Sequence, residues 1–203
     1  MSRTNVPEPL RRLAAALANL PSMGPRQAIR LSFYLARGKK EELREILSAL
    51  EGMESLRPCT RCFFPHDDEG ELCDICKDPS RNPSQIMILE KETDLSSIEK
   101  TAKFKGRYLL LGEIPKTGIL EEWQRNRLNT FVLHIKDELG GTAEEIILGF
   151  NATSFGNLGA TIVSKELAPH AKKLTRLGRG LPSGGEIEFA DDETLESALE
   201  GRS

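Results

Sequence analysis

The sequence has few aromatic residues and no apolar run of membrane-spanning length. Aromatic side chains make up 5 % of its 203 residues, which disfavours one large aromatic-rich core. No stretch approaches the roughly 20 consecutive apolar residues that a transmembrane helix needs. The short patch Ala14-Ala15-Ala16 is not followed by a hydrophobic segment with a cleavage site. These absences predict a cytoplasmic protein that does not contact membranes.

Other features that would indicate a particular class are also missing. The chain has no Gly-x4-Gly-Lys-Ser/Thr phosphate loop, so no nucleotide site is indicated. It has no internal repeat and no low-complexity linker. The length of 203 residues allows one core or several small modules.

The charged residues are distributed unevenly. The formal net charge is −3, but residues 1–40 hold eight basic side chains and one acidic side chain, a balance of +7. Residues 186–200 hold seven acids and no Lys or Arg. The basic region favours a local polyanion site, with a solvated helix face as the alternative. Its basic residues are Arg3, Arg11, Arg12, Arg26, Arg30, Arg37, Lys39 and Lys40.

The spacing of apolar residues predicts helices first and an α/β unit afterwards. Helices are expected near 8–19, 25–36 and 40–50. Short apolar runs then predict strands buried on both faces, at Ile86–Leu89, Tyr108–Leu111, Ile146–Leu148 and Leu174–Leu177. Helical patterns lie between the strands, at 94–101 with Asp94 as N-cap, at 119–139 and at 157–168. This alternation indicates a mainly parallel sheet. A last helix capped by Asp191 or Asp192 is expected near the C-terminus.

All four cysteines lie in one window, as Cys59-x2-Cys62, ten residues, and Cys73-x2-Cys76. Two such pairs can place four thiolates around one zinc ion. Two disulfides or four unrelated core cysteines are the alternatives, and the missing secretory signal and the regular spacing disfavour both. A tetrathiolate site has no open position for water, so the zinc is predicted to be structural. His66 lies between the pairs and could replace a thiolate, although an ordinary loop residue is the favoured interpretation.

The segment Leu20–Ala28 resembles a helix-hairpin-helix element. Gly24 permits a close backbone approach, and Pro25 suits the first helical position. The free amides of the following helix start could face a DNA phosphate, with Arg26 and Arg30 beside it. Arg37, Lys39 and Lys40 would extend this surface. Such contacts predict salt-sensitive binding without sequence specificity. A plain hairpin that packs or oligomerises is the alternative, and the two roles are compatible.

These segments, in this order, resemble the RecR family over roughly residues 8–200. The segments that carry the resemblance are Leu20-Pro21-x-x-Gly24-Pro25, Cys73-Asp74-Ile75-Cys76-Lys77-Asp78-Pro79-x-Arg81 and Arg179-Gly180-Leu181-Pro182-x-Gly184-Gly185-Glu186-Ile187-Glu188-Phe189. The resemblance implies an α+β protein of four modules. These are a helix-hairpin-helix domain (1–57), a four-cysteine zinc finger (58–83), a Toprim α/β domain (84–180) and a C-terminal oligomerisation segment (181–203).

The resemblance also shows where this chain departs from its family and from catalytic Toprim proteins. Those enzymes hold magnesium with a Glu after the first strand and an Asp-x-Asp after a later one. Glu90 matches the Glu, but Asn151-Ala152-Thr153 lacks both aspartates, and Phe155 and Asn157 stand where the family commonly has glutamates. The segment Gly112–Gly118 also differs from the family loop. Phosphodiester chemistry and bound magnesium are therefore not expected. Glu90 and Asp94 are predicted to form a partner-binding face, the alternative being acids that favour a helix N-terminus.

The resemblance implies a recombination mediator that is not an enzyme. RecR-like proteins form rings, from dimers to tetramers, that bind gapped, single- and double-stranded DNA. They work with RecO, and in some systems RecF, to load RecA at single-stranded gaps near the nucleoid. The segment from Leu181 is expected to link subunits through an edge strand. A zinc-stabilised adaptor without DNA binding and a degenerate Toprim nuclease or primase accessory are the alternatives.

Overall fold

The computed structural model describes residues 6–178 and 180–202. Arg3 of the basic region and Arg179 of the C-terminal motif lie outside the described residues. The chain divides into two compact units at the junction between Leu56 and Arg57. The boundaries predicted after residues 83 and 180 lie within the second unit and stay predictions.

The first unit is helical. It consists of α1 (Glu8–Leu17), α2 (Pro25–Arg37), α3 (Lys40–Gly52) and a 3-10 turn (Met53–Ser55). Helices α1 and α2 pack as a hairpin. Pro25 lies in the first turn of α2, where its missing N–H removes no helical hydrogen bond. Among the residues of these three helices, Ala28 and Ser32 alone are buried, so the core of this unit is thin.

Helix α3 presents its apolar side chains to solvent. Leu43, Leu47 and Leu50 are 36 %, 51 % and 57 % exposed. An amphipathic helix normally buries such a stripe against another element. Within the first unit, one apolar helix face is therefore left uncovered.

The second unit contains the cysteine segment, the sheet and the C-terminal helix. The cysteine segment holds β1 (Arg57–Pro58), β2 (Pro65–His66) and α4 (Asp74–Lys77). The α/β part follows, with β3 (Asn82–Leu89), α5 (Glu92–Lys100), β4 (Gly106–Leu110), α6 (Glu122–Leu139), β5 (Ala143–Gly149), α7 (Ser154–Leu167), a 3-10 turn (Ala168–His170) and β6 (Ala171–Arg176). A 3-10 turn (Ile187–Phe189) and α8 (Asp192–Glu200) end the described chain.

The four longer strands form one parallel sheet in the order β4-β3-β5-β6. Strand β3 lies between two neighbours, so Leu89 pairs with Leu110 on one side and with Gly149 on the other. The carboxyl ends of β4, β3 and β5 therefore meet at one edge. In open α/β sheets the loops at this edge carry the functional groups.

Both faces of the sheet are covered, which explains why its strands are continuous apolar runs. Alternate residues point to opposite faces. One face packs on α6 and α7 and forms the larger core, whose main members are Ile86, Ile88, Leu109, Leu128, Phe131, Ile135, Ile146, Leu148, Val163 and Leu167. The opposite face forms a second core from Met87, Leu89, Tyr108, Leu110, Leu95 of α5 and the four cysteines. The cysteine segment is thus part of the domain core.

The structure confirms the predicted parallel sheet and the alternating helices, but it corrects one helix start. Helix α5 begins at Glu92 with Lys91 as its N-cap residue, so the prediction of Asp94 as N-cap is wrong. Asp94 instead occupies the third helical position, where its Oδ2 accepts the backbone N–H of Lys91 at 3.1 Å. No described helix is long and apolar enough to span a membrane.

The C-terminal segment differs from the predicted edge strand. Phe189 N–H donates to the Glu186 carbonyl and Ala190 N–H to the Ile187 carbonyl, both at 3.2 Å. These local bonds produce a 3-10 turn. The prediction of an edge strand after Leu181 is therefore wrong for residues 180–202. The predicted cap of α8 is confirmed, because Asp191 accepts the backbone N–H of Thr194 at 2.8 Å.

Gly156 provides a test of the packing at the carboxyl edge of the sheet. A Cβ at this position would lie 2.0 Å from the carbonyl oxygen of Asn151. Because that oxygen belongs to the backbone, no side-chain rotation relieves the overlap. We expect Gly156→Ala to lower the free energy of unfolding by about 2–3 kcal/mol, measured by urea denaturation.

Gly178→Ala is the matched control, because nothing lies within 4 Å of a Cβ at that position and its φ is not positive. It should change the free energy of unfolding by no more than about 0.5 kcal/mol. Equal stability of the two variants would show that the Asn151 loop is not fixed against α7.

Candidate functional site

Two tight turns bring the four cysteines together. In the first, the backbone N–H of Phe63 donates to the Cys59 carbonyl at 2.9 Å, and Phe63 adopts a φ of 65°. In the second, Cys73 precedes α4, and Cys76 N–H donates to the Cys73 carbonyl at 2.9 Å. The four Sγ atoms consequently lie within 4.8 Å of one another.

The four thiol groups are buried and free of disulfides. The Sγ atoms of Cys62 and Cys73 are 3.5 Å apart. Hydrogen bonding with Cys62 lowers the pKa of Cys59, and the same contact raises the pKa of Cys62. A cation is therefore needed to hold all four groups as thiolates in this buried position.

The cluster can hold a metal ion, and its chemistry fits zinc. Four thiolates are a soft donor set, and a buried tetrahedral arrangement of this kind is typical of structural zinc sites. The residues that would bind the ion are Cys59, Cys62, Cys73 and Cys76. Because all four positions are filled by protein, the arrangement favours a structural over a catalytic role.

His66 lies outside the cysteine cluster. It is 5 % exposed, and its Nδ1 is 3.5 Å from Oδ2 of Asp68. The same Asp68 oxygen accepts the backbone N–H of Asp74, at the start of α4, at 3.0 Å. His66 is thus better placed to support the second cysteine turn than to replace a thiolate as a metal ligand.

The cysteine segment also covers β4, which is an outer strand of the sheet. In edge strand β4, the N–H of Leu110 donates to the Cys62 carbonyl at 2.9 Å. The Leu110 carbonyl accepts from Arg127 at 2.8 Å, and the Arg127 guanidinium lies 4.8 Å from the ring centroids of both Phe63 and Trp123. Unpaired edge strands invite pairing with another chain. Here these two backbone groups are satisfied within the chain.

Arg81 fastens the end of the cysteine segment to the α/β part. Its guanidinium binds both carboxylate oxygens of Glu99 on α5 and donates to the Gly106 carbonyl at 3.0 Å. Although burial opposes ionisation, the contacts from Arg81 and Tyr108 lower the pKa of Glu99. The charged pair is therefore maintained beside the second core, which gives the Arg in the Asp78-Pro79-x-Arg81 motif a structural role.

A second ionic group ties the first cysteine turn to α6. Arg61, between Cys59 and Cys62, binds the carboxylate of Glu138, which also accepts from Arg107 at 2.7 Å. Arg61 donates in addition to the Cys76 carbonyl at 3.3 Å. Both cysteine turns are thus linked to each other and to the sheet domain.

Glu90 lies at the carboxyl edge of the sheet, directly after β3. It is 7 % exposed. Its Oε2 accepts the backbone N–H of Asn151 at 2.9 Å and the Asn151 side-chain amide at 2.6 Å. Asn151 and Thr153 stand where catalytic Toprim proteins have aspartates, so this set offers one carboxylate. Mg²⁺ prefers several oxygen ligands in octahedral geometry, and these residues do not fit it.

The two residues predicted to face a partner differ in exposure. Glu90 is buried, whereas Asp94 is partly exposed with one oxygen bonded to the start of its own helix. Neighbouring Lys91 pairs with Glu113, with 2.7 Å between Nζ and Oε1. No observation tests partner binding at these residues, so that role stays a prediction.

The positions that depart from the family lie on or beside α7. Phe155 is 43 % exposed in the first turn. Asn157 accepts a hydrogen bond from Arg176 of β6 at 2.8 Å through Oδ1. In the divergent loop, Gly112 has a φ of 91°, and a Cβ there would lie 2.0 Å from the Trp123 ring. The loop that contains Gly112 is consequently shaped by its contact with Trp123 of α6.

The basic residues at the two ends of α2 and at the start of α3 are exposed. Arg26 and Arg30 lie on the first two turns of α2, and no ion pair involves either of them in the described part of the chain. Arg37 is also exposed, although its Nε contacts the Phe33 carbonyl at 3.4 Å. Lys39 and Lys40 are exposed where α3 begins.

Sequence reasoning missed the residues that join the cysteine segment to the sheet. Trp123 and Arg127 are four apart on α6, and this spacing indicates a contact between them. Nothing in the sequence indicates that Phe63 also contacts the Arg127 guanidinium. Nor does it indicate that Glu99 binds Arg81 or that Glu138 binds Arg61. Those contacts join residues up to 77 positions apart.

Comparisons with known proteins agree with this architecture. The Toprim domain family model matches residues 84–178, and the model described as RecR, C-terminal matches residues 180–203. A protein named Recombination protein RecR from Rubrobacter xylanophilus is 40 % identical over 194 residues, which cover 94 % of each chain. Proteins of the same name from Chloroflexus aggregans and Gloeobacter violaceus are 38 % and 37 % identical, covering 96 % of this chain and 93 % and 96 % of their own.

Replacing one ligand tests whether the cysteine cluster supports the sheet. We expect Cys73→Ser to lose the bound metal and to lower the free energy of unfolding of the second unit by at least about 3 kcal/mol, because the cysteines share a core with β3 and β4. Metal content by mass spectrometry and urea denaturation measure the two effects. Ser80→Ala, at an exposed position in the same segment, is the control. A metal-free Cys73→Ser protein with wild-type stability would contradict the structural role.

Proposed function

The chain belongs to the RecR family of recombination proteins, and on this basis we propose that it is a recombinational DNA repair mediator rather than an enzyme. In this role it binds gapped, single- and double-stranded DNA as a ring-like oligomer, largely without sequence specificity. It helps to load the RecA recombinase at single-stranded gaps together with RecO and, in some systems, RecF. Such a protein acts in the cytoplasm, at the nucleoid.

The proposed metal is a structural zinc ion held by Cys59, Cys62, Cys73 and Cys76. The buried thiol cluster supports this assignment, because its donors suit zinc and leave no open coordination position. In the proposed role, zinc stabilises the second face of the sheet. It takes no part in chemistry.

The observation that carries the DNA-binding proposal is the start of α2. Its first turn contains no acidic residue and instead carries Arg26, at the end where the helix dipole is positive. Repulsion between the cation and the dipole is relieved when a phosphate binds to the free amides and the guanidinium. Arg30 lies one turn later and forms no ion pair with the residues that the structure describes; it extends the contact along the DNA backbone.

Arg37, Lys39 and Lys40 are proposed as auxiliary phosphate contacts. Lys39 and Lys40 place two cations at the start of α3, and both side chains are exposed. Contacts of this kind position the protein on DNA without reading bases. Binding is therefore expected to be strongly salt-dependent.

Exposed apolar surfaces support the proposed oligomer. The α3 stripe lacks a partner within its own unit, and in the C-terminal segment Ile187 and Phe189 are 68 % and 79 % exposed. Two separate apolar surfaces on one chain allow each copy to contact two others, as a ring requires. We propose α3 and the C-terminal segment as these subunit contacts.

For partner binding we propose the carboxyl edge of the sheet around Glu90 and Asp94. Asp94 is partly exposed, and Phe155 adds an exposed ring on the neighbouring helix start. Since Glu90 is buried, its proposed contribution is to hold the surrounding loops. The alternative of a Toprim nuclease or primase accessory is disfavoured, because the three positions that carry metal-binding carboxylates in those enzymes carry one here, Glu90.

DNA titration tests the role of the hairpin. Wild-type protein should bind gapped and duplex DNA with an affinity that falls steeply with added salt. Arg26→Glu/Arg30→Glu should weaken binding by at least about 100-fold, because two phosphate contacts become repulsive. Fluorescence anisotropy at two salt concentrations measures the affinity, and light scattering monitors assembly.

Lys136→Glu/Lys165→Glu is the control for net charge. It makes the same charge change at exposed positions of α6 and α7, and it should bind DNA within about threefold of wild type. If the wild-type protein does not bind DNA even at low salt, while it remains an oligomer, the proposed mediator function is contradicted. The alternative of a zinc-stabilised adaptor without DNA binding is then favoured.

The α3 stripe gives a separate prediction for assembly. Leu47→Glu/Leu50→Glu should reduce the oligomer to a smaller species, because two buried charges in an apolar contact are strongly unfavourable. Light scattering measures the mass. Leu133→Glu, at an exposed leucine of α6, should leave the mass unchanged. An unaltered mass in the α3 variant would place the subunit contact elsewhere.

A further inference from the structure

The carboxylate of Glu90 joins the ends of three neighbouring strands. It follows the central strand β3 and bonds to Asn151, which follows β5. Its other oxygen lies 3.5 Å from the backbone nitrogen of Ile114, in the loop after β4. We call this set of Glu90, Ile114 and Asn151 the carboxylate junction.

The donors at the carboxylate junction occupy the lone pairs that a cation would use. The Asn151 amide reaches Oε2 at 2.6 Å, and the Asn151 backbone N–H reaches the same oxygen at 2.9 Å. Bonds of this kind to an ionised carboxylate are strong in a buried position. They satisfy the acceptor without any ion.

The surroundings of the junction also disfavour a divalent cation. Lys91 and Lys116 line the open pocket beside Glu90. The one other acid that lines this pocket, Glu113, is paired with Lys91 at 2.7 Å. A dication entering here would meet two ammonium groups and two carboxylates, of which one is bonded to amide donors and the other is paired with Lys91.

We propose that the carboxylate junction is a metal-independent substitute for a Toprim magnesium site, in which the Asn151 amide takes the place of the cation. The single carboxylate at the end of β3 is neutralised by N–H donors from the two flanking loops. The strand ends are thus held together in any ionic condition. Restoring the missing carboxylates should restore dependence on a divalent cation.

The proposal predicts a gain of metal dependence. Asn151→Asp/Thr153→Asp places new carboxylates beside Glu90, so the variant should be less stable than wild type without divalent ions. Mn²⁺ should then raise its Tm by about 5 °C or more, through binding to the folded state. Wild-type Tm should not respond to Mn²⁺. Since carboxylates suit Mn²⁺ and thiolates suit zinc, the cysteine cluster does not interfere.

Thermal unfolding of the full-length, zinc-loaded protein with and without millimolar Mn²⁺ measures the effect. Asn126→Asp adds one carboxylate at an exposed position of α6 and should show no response. Asn151→Ala, which removes only the amide, should be less stable than wild type and also insensitive to Mn²⁺. This variant keeps the proposal testable if the double variant does not fold.

Two results would overturn the proposal. One is that Mn²⁺ raises the Tm of the wild-type protein but not that of Glu90→Gln, which would show that Glu90 binds a cation. The other is an Asn151→Ala protein as stable as wild type, which would show that the amide does not hold the junction. Neither result depends on DNA binding, so the mediator function is tested separately.

Discussion

The packing of four buried cysteines against one face of the sheet is the constraint on which the second unit depends. The thiol cluster is continuous with the residues of β3 and β4 that point away from the larger core. Four thiolates buried there need a cation, so a metal ion bound to the cluster would stabilise the folded sheet. The hydrogen bond from Leu110 to Cys62 extends this dependence to the edge of the sheet. The cysteine segment, despite its low apolar content, thereby completes a domain core.

The same sheet is held at its carboxyl edge by a different chemistry. Hydrogen bonds to Glu90 join the strand ends where related enzymes would use magnesium. The cysteine cluster instead supports the face of β3 and β4 that points away from the larger core. One centre thus suits a soft metal ion, and the other is satisfied by amide donors. This arrangement supplies rigidity without supplying the several carboxylates that phosphodiester chemistry needs. It suits a protein that positions DNA and partners, which is the role we propose.

The sequence predicts those parts of the molecule that depend on local pattern. The two Cys-x2-Cys pairs predict the cluster of four thiol groups, and the apolar runs predict all four strands of the sheet. Helix starts are harder to place, because an acid such as Asp94 can serve either as the N-cap or at the third position. The turn at Ile187 has the alternation of a strand, but its backbone bonds are local. Partners such as Glu99 of Arg81 are not predictable, because they depend on the tertiary fold.

Hydrogen exchange of the zinc-loaded and the chelated protein tests the central claim most directly. If the cysteine cluster completes the domain core, removal of zinc should abolish amide protection in β3 and β4, including the N–H of Leu110, while the α1–α2 hairpin keeps its protection. Loss of protection confined to residues 57–80, with β3 and β4 unchanged, would contradict the account. The sheet would then be stable without the metal, and the cysteine segment would be an appended module.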